Sequence, residues 1–167
     1  SIVISGASFR IENIRGVADI DGLTNPFHIQ AAGGVFGTEA HPIEWRDSSS
    51  TVEAARAILG TTAADRLEVW LRYLGFTAGN ACVNAIQLNG SSSVRIHLDA
   101  YGLASTGWVE FVTNACTDVV VLGRTYTQAI TNGSRNVVDT IGGSTWSAEL
   151  FDASAGSSMS GGSGSPL

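Results

Sequence analysis

Apolar and polar residues alternate along this chain in short runs, each bounded by residues that favour a bend. Six runs have the two-residue period of a half-buried β-strand: Ser8-Phe9-Arg10-Ile11, Gly34-Val35-Phe36-Gly37, Asp65-Arg66-Leu67-Glu68-Val69, Ser93-Val94-Arg95-Ile96-His97-Leu98, Asp118-Val119-Val120-Val121 and Thr145-Trp146-Ser147-Ala148-Glu149-Leu150. Their starts lie 26, 31, 28, 25 and 27 residues apart, and each opens on a small or turn-forming residue. A second set precedes five of them: Phe27-His28-Ile29, Ile58-Leu59, Ile86-Gln87-Leu88, Val109-Glu110-Phe111 and Val137-Val138. Phe27 to Val35, Leu59 to Leu67, Ile86 to Val94, Phe111 to Val119 and Val138 to Trp146 are each eight residues apart.

A strand, a short bend, a second strand and a variable excursion, repeated about every 27 residues, predict an all-β chain. The predicted architecture is a parallel β-helix, a solenoid of about five coils, because one coil cannot bury its apolar side alone and must stack on the next. The bends at Asn89-Gly90-Ser91-Ser92, Asn114-Ala115-Cys116-Thr117 and Gly142-Gly143-Ser144 fall in equivalent places, so Asn89 and Asn114 are expected to form a side-chain ladder. Two stretches also fit helices. Leu67, Trp70, Leu71 and Leu74 have helical spacing between Asp65 and Gly75, and Ser50 with Glu53 forms a capping box before a turn over 51–57. Register with the neighbouring repeats favours strand for the first; the second stays open. The solenoid is assigned to residues 1–152 and a flexible Gly/Ser-rich tail to 153–167. The start at Ser1-Ile2-Val3-Ile4, without Met, reads as a piece of a longer protein.

Composition narrows the chemistry. Gly, Ser and Thr make up about a third of the 167 residues, yet 44% are hydrophobic, too many for a disordered linker. All nine basic residues are Arg, against 15 Asp plus Glu, for a net charge of −6. That balance argues against a phosphate-gripping surface, and the lack of Lys excludes Schiff-base chemistry and a P-loop. The longest wholly apolar run, Val119-Val120-Val121-Leu122, is far short of a membrane span. Neither nucleic acid nor membrane is expected as a partner.

Cys82 and Cys116 lack zinc spacing and read as small core residues. His28, His41 and His97 lie in different segments, and Asp19-Ile20-Asp21-Gly22 lacks the Glu that closes a calcium loop, so neither a metal nor a cofactor is predicted. Alternation gives two outward columns: Arg10, Phe36, Glu68, Arg95, Val120, Ser147, and Glu12, Thr38, Trp70, His97, Leu122, Glu149. No two carboxylates are adjacent in either, whereas Glu68 and Arg95 form an opposite-charge pair. Glu110 and Asp139, one coil apart in the second sheet, are the weak candidates for a catalytic acid and base. Phe36, Trp70, Val120 and Leu122 form an outward apolar set, the expected subunit interface, with Trp45 and Trp108 in loops that follow strands.

Three further runs carry a resemblance: Leu23-Thr24-Asn25-Pro26-Phe27-His28-Ile29, Thr62-Ala63-Ala64-Asp65-Arg66-Leu67, and Asn136-Val137-Val138-Asp139-Thr140-Ile141-Gly142-Gly143-Ser144-Thr145-Trp146. With these the chain resembles right-handed β-helix virion proteins of tailed bacteriophages, such as head fibres, capsid decorations and tail spikes. The resemblance implies a structural, non-enzymatic homotrimer on the outside of a virion, with other virion proteins, the capsid among them, as partners. Two alternatives accompany it: a tail-spike polysaccharide depolymerase and a non-enzymatic module that binds a host surface glycan.

Overall fold

The computed structural model describes residues 2–6, 8–18, 27–31, 33–47, 56–60, 66–76, 82–101, 104–126, 137–152 and 157–163. Among these there is no helix, and fifteen strands run in chain order. They are β1 (Ile2–Gly6), β2 (Phe9–Ile11), β3 (Arg15–Ala18), β4 (Phe27–Ala31), β5 (Gly34–Phe36), β6 (Ile43–Asp47), β7 (Arg56–Gly60) and β8 (Leu67–Phe76). Then follow β9 (Cys82–Leu88), β10 (Ser92–Tyr101), β11 (Ala104–Phe111), β12 (Thr117–Tyr126), β13 (Val137–Asp139), β14 (Trp146–Asp152) and β15 (Ser157–Gly162).

The chain passes back and forth between two mostly parallel sheets. The smaller has six strands in the order β1-β4-β7-β9-β11-β13; the larger has nine, with the path β15-β14-β12-β10-β8-β5-β2, and β6 joining β3 to β8. The apolar core of each run expected to be a strand lies in one, including the stretch from Leu67 that also had helical spacing. Here burial decides: Leu67 and Val69 are buried beside Val94 and Ile96 of the neighbouring strand, which only the two-residue period allows. Arg56 and Ala57, the end of the stretch 51–57 left open between a helical turn and a loop, belong to β7 with the expected Ile58-Leu59, while Ser50 to Ala55, like Asp19 to Pro26 with the calcium-like run, lie outside the described residues.

One core lies behind both sheets. Ile29, Ile86, Leu88, Val109, Phe111 and Val137 of the smaller sheet join Phe36, Val69, Ile96, Val121 and Leu150 of the larger in a single buried cluster. Burying a side chain of this kind contributes about 1.5–3 kcal/mol, so the aligned inward columns carry the stability. The eight-residue spacings do not mark equivalent positions, however. In register, Ile86 stands level with Val109 and Val137, and Val94 with Val119 and Trp146, so the true spacings are eight, ten and nine residues. The bends differ in length and the ladders absorb the difference.

The bends themselves are held by side chains. Asn114 Nδ2 donates to Asn89 Oδ1 at 2.9 Å, the expected ladder. The amide of Cys116 donates to Ser144 Oγ at 3.1 Å, and that of Asp118 to Thr145 Oγ1 at 2.9 Å. At the start of three strands, Arg66, Ser93 and Asp118 occupy equivalent places, all left-handed with φ of 57°, 51° and 53°. This kink, repeated from strand to strand, aims each chain into the larger sheet.

The Gly/Ser segment differs from the flexible tail expected of its composition. Ser157–Gly162 pairs antiparallel with β14 and covers the edge of the larger sheet. Ser163 fastens its end: the Trp146 amide donates to Ser163 Oγ at 2.6 Å, and that hydroxyl donates to the Ser144 carbonyl at 2.9 Å. Backbone pairing needs no apolar side chain, so a Gly/Ser run can close an edge that would otherwise invite another strand.

Candidate functional site

The alternation of β8, β10, β12 and β14 sends Val69, Ile96, Val121 and Ala148 inward and lines Trp70, His97, Leu122 and Glu149 along the outer face. Parallel strands bring the first two rings face to face. The Trp70 and His97 ring centroids are 3.5 Å apart with their planes 5° from parallel. Trp70 is held further by its Nε1, which donates to the Glu68 carboxylate.

Beside these rings runs a groove of about 370 Å³. Trp70, His97 and Leu122 line its middle, Glu39 and Pro42 one wall, and Asp99, Gly123 and Arg124 the other. The first wall exists because the chain breaks between β5 and β6: Gly37 turns with φ +81°, its amide donating to the Ile11 carbonyl at 2.7 Å. Thr38 and His41 then close the loop through reciprocal amide–carbonyl bonds, each 3.1 Å. A Cβ on residue 37 would sit 2.5 Å from the Trp70 carbonyl oxygen, so only glycine lets this loop lie against β8. Across the groove Gly123 takes φ +143° inside β12, where a Cβ would come within 1.8 Å of the Leu98 oxygen.

Burial pushes the pKa of His97 below its ordinary value, while the negative charges of Glu68 and Glu39 act in the opposite direction. Burial thus favours the neutral imidazole, which stacks on Trp70 as an aromatic ring. Cys116 is a buried free thiol whose pKa burial pushes up, as a core cysteine's should be. No group of three or more His, Cys, Asp or Glu side chains gathers into a metal-binding arrangement among the described residues.

Several expected site residues lie elsewhere. Glu110 is level with Val138 and Asp139 with Phe111, so the two acids stand in successive columns whose side chains leave opposite sides of the sheet. Glu110 accepts a 2.8 Å bond from Gln87 Nε2. Asp139 closes a turn by accepting from the Gly142 amide at 2.9 Å and the Ser144 amide at 3.1 Å. Strand alternation thus separates the proposed acid and base. Phe36, placed on the outer face by the sequence reading, is fully buried, level with Val69, and Val35 takes the outward position. The register slips because Gly34 fills an inward position, its missing side chain replaced by the Phe9 ring of the neighbouring strand. Trp70, Val120 and Leu122 are half-buried on the outer face.

Glu68 and Arg95 are in register as expected. The guanidinium nevertheless turns to the next strand, where Arg95 meets Asp118 Oδ1 at 3.0 Å and donates to the Asp118 carbonyl at 2.7 Å. Trp45 and Trp108 lie within β6 and β11 rather than in loops; their side chains, with those of His28 and Cys82, are outside the described residues. The groove's acidic and basic walls had no sequence signal beyond residue type, because Glu39 sits on an irregular loop. Compared with protein-family models, with curated proteins and with solved structures, the chain gives no match.

Proposed function

We propose that the chain is a right-handed parallel β-helix of about five coils and that it acts mechanically, as a structural component on the outside of a bacteriophage virion. The observation that carries this reading is the unbroken parallel column Ile2-Phe27-Ile58-Ile86-Val109-Val137 in the smaller sheet, matched by Leu67-Val94-Val119-Trp146 in the larger. Stacking of this kind extends a rod by one step for each pair of strands, which suits a part that projects or decorates. The phage assignment draws on the resemblance of the three runs quoted above. No reaction is proposed for the chain; among the described residues Glu110 accepts from Gln87, Asp139 closes a turn, and Glu12, Glu44 and Asp118 are in ion pairs.

The same reading takes the protein to be a homotrimer, with Val120 as the apolar contact on the outer face of β12, in the column next to the one that carries Trp70 and Leu122. Its partners are then further copies of itself and the capsid proteins to which it attaches. Light scattering tests the assembly. A solution mass of about three times 17.3 kDa that falls to one chain in Val120→Asp supports it, and a wild-type monomer overturns it.

A further inference from the structure

The groove beside Trp70 has a feature that the mechanical reading leaves unused: a rigid aromatic slab set among carboxylates. The slab is preorganised, with Trp70 fixed by Glu68 at its nitrogen and by His97 across its face. Among the described side chains, Glu39, Glu68 and Asp99, three carboxylates, stand around it against one guanidinium, that of Arg124. Arg124 lies level with Asp99 on the neighbouring strand, where the opposite charges offset each other. The surplus is negative and falls on the ring side: Glu68 and Glu39 are the two charges that act on His97. An anionic ligand is disfavoured there, and the chain's net charge of −6 adds to that. A neutral apolar ligand would gain nothing from the carboxylates and would have to desolvate them.

We propose that this groove binds an arginine side chain presented by a partner polypeptide. A guanidinium is flat, weakly hydrated and permanently charged, so it packs against an aromatic wall and forms paired hydrogen bonds with a carboxylate at once. Lysine's compact, strongly hydrated ammonium uses the rings less well. One chain builds the whole groove, so this inference does not depend on the trimer.

The test follows the Trp70 indole N–H and His97 ring signals by NMR, in the intact protein, during titration with the tripeptide acetyl-Gly-Arg-Gly-amide. Saturable shifts of both signals are expected. The lysine tripeptide binds several-fold more weakly, and the uncharged citrulline tripeptide leaves the signals in place. Glu39→Gln weakens arginine binding by about fivefold while the stacked ring signals of the unliganded protein stay where they were, so a loss of fold is separated from a loss of charge. Arg10→Gln, on an exposed residue away from the groove, leaves binding unchanged. Equal binding of the citrulline and arginine peptides overturns the proposal, as does the absence of any shift with the arginine peptide. A response to a neutral oligosaccharide such as maltohexaose, without one to the peptide, overturns it in favour of a glycan site.

Discussion

The two halves of the larger sheet solve the same problem differently. Toward the C-terminal end, β10 and β12 are continuous ten-residue strands, in register over most of their length. Toward the N-terminal end the equivalent path is broken twice, into β2 with β3 and β5 with β6, and β8 spans the break by pairing first with β5 and then with β6. The residues spent in the second break, 37 to 42, make the wall that carries Glu39 and Pro42. Continuous strands therefore supply the rigid floor, and interrupted ones supply the relief that turns a flat sheet face into a groove.

The contrast is broken most severely at Gly123. Its φ of +143° and a Cβ only 1.8 Å from the Leu98 oxygen leave no room within a continuous ladder. Gly123→Ala is expected to cost about 3–5 kcal/mol in urea denaturation. At Gly142, φ is +74° but nothing lies within 4 Å, so Gly142→Ala should cost only about 1 kcal/mol. Similar losses at the two sites would show that backbone crowding in β12 is not what demands glycine.

Core truncation sharpens the comparison next. Ile96 is fully buried in the continuous half, while Ile11, in the same column of the broken half, is only partly buried. Ile96→Ala should cost about 2–5 kcal/mol and Ile11→Ala distinctly less, both read from denaturation midpoints. The reverse order would place the stable half at the other end.

Smaller still is the Asn ladder. Asn114→Ala removes the 2.9 Å bond to Asn89 on an exposed bend, and a loss of about 1 kcal/mol is expected, with Asn89→Ala adding little to the double variant. Full additivity of the two would show that the bond is not shared.

The smallest expected effect is a pH dependence. The folded pKa of His97 lies below its ordinary value of 6.5, so the unfolded chain takes up the proton more readily. The neutral ring's contribution is then complete above that value and is lost as pH falls from there through the folded pKa. Denaturation midpoints compared at pH 7.5 and 5 should show a wild-type decrease that His97→Gln reduces. An equal decrease in both proteins would assign it to other groups.

Much of this contrast was legible in the residues. The two-residue period located strands in both sheets, and the outward column Trp70, His97, Leu122 and Glu149 follows from it directly. What escaped did so for physical reasons. Arg15–Ala18 and Ile43–Asp47 are short strands after a break, with no repeat of their own to align them. Ser157–Gly162 pairs through its backbone, which leaves no trace in hydropathy. Phe36 was assigned to the wrong face because Gly34 fills a core position that a ring from the next strand completes. The groove was the least legible part, since it depends on where loop 37–42 lies against β8, and that is fixed by Gly37 and by contacts distant in sequence.

The central claim is that strands about 27 residues apart lie side by side in parallel, with Trp70, His97 and Leu122 in one outward column. Nuclear Overhauser contacts of the His97 ring test it most directly. The account predicts contacts to the Trp70 indole on one side and to the Leu122 methyls on the other in the same molecule. A His97 ring that contacts neither, or that contacts residues paired as in an antiparallel hairpin, would contradict it.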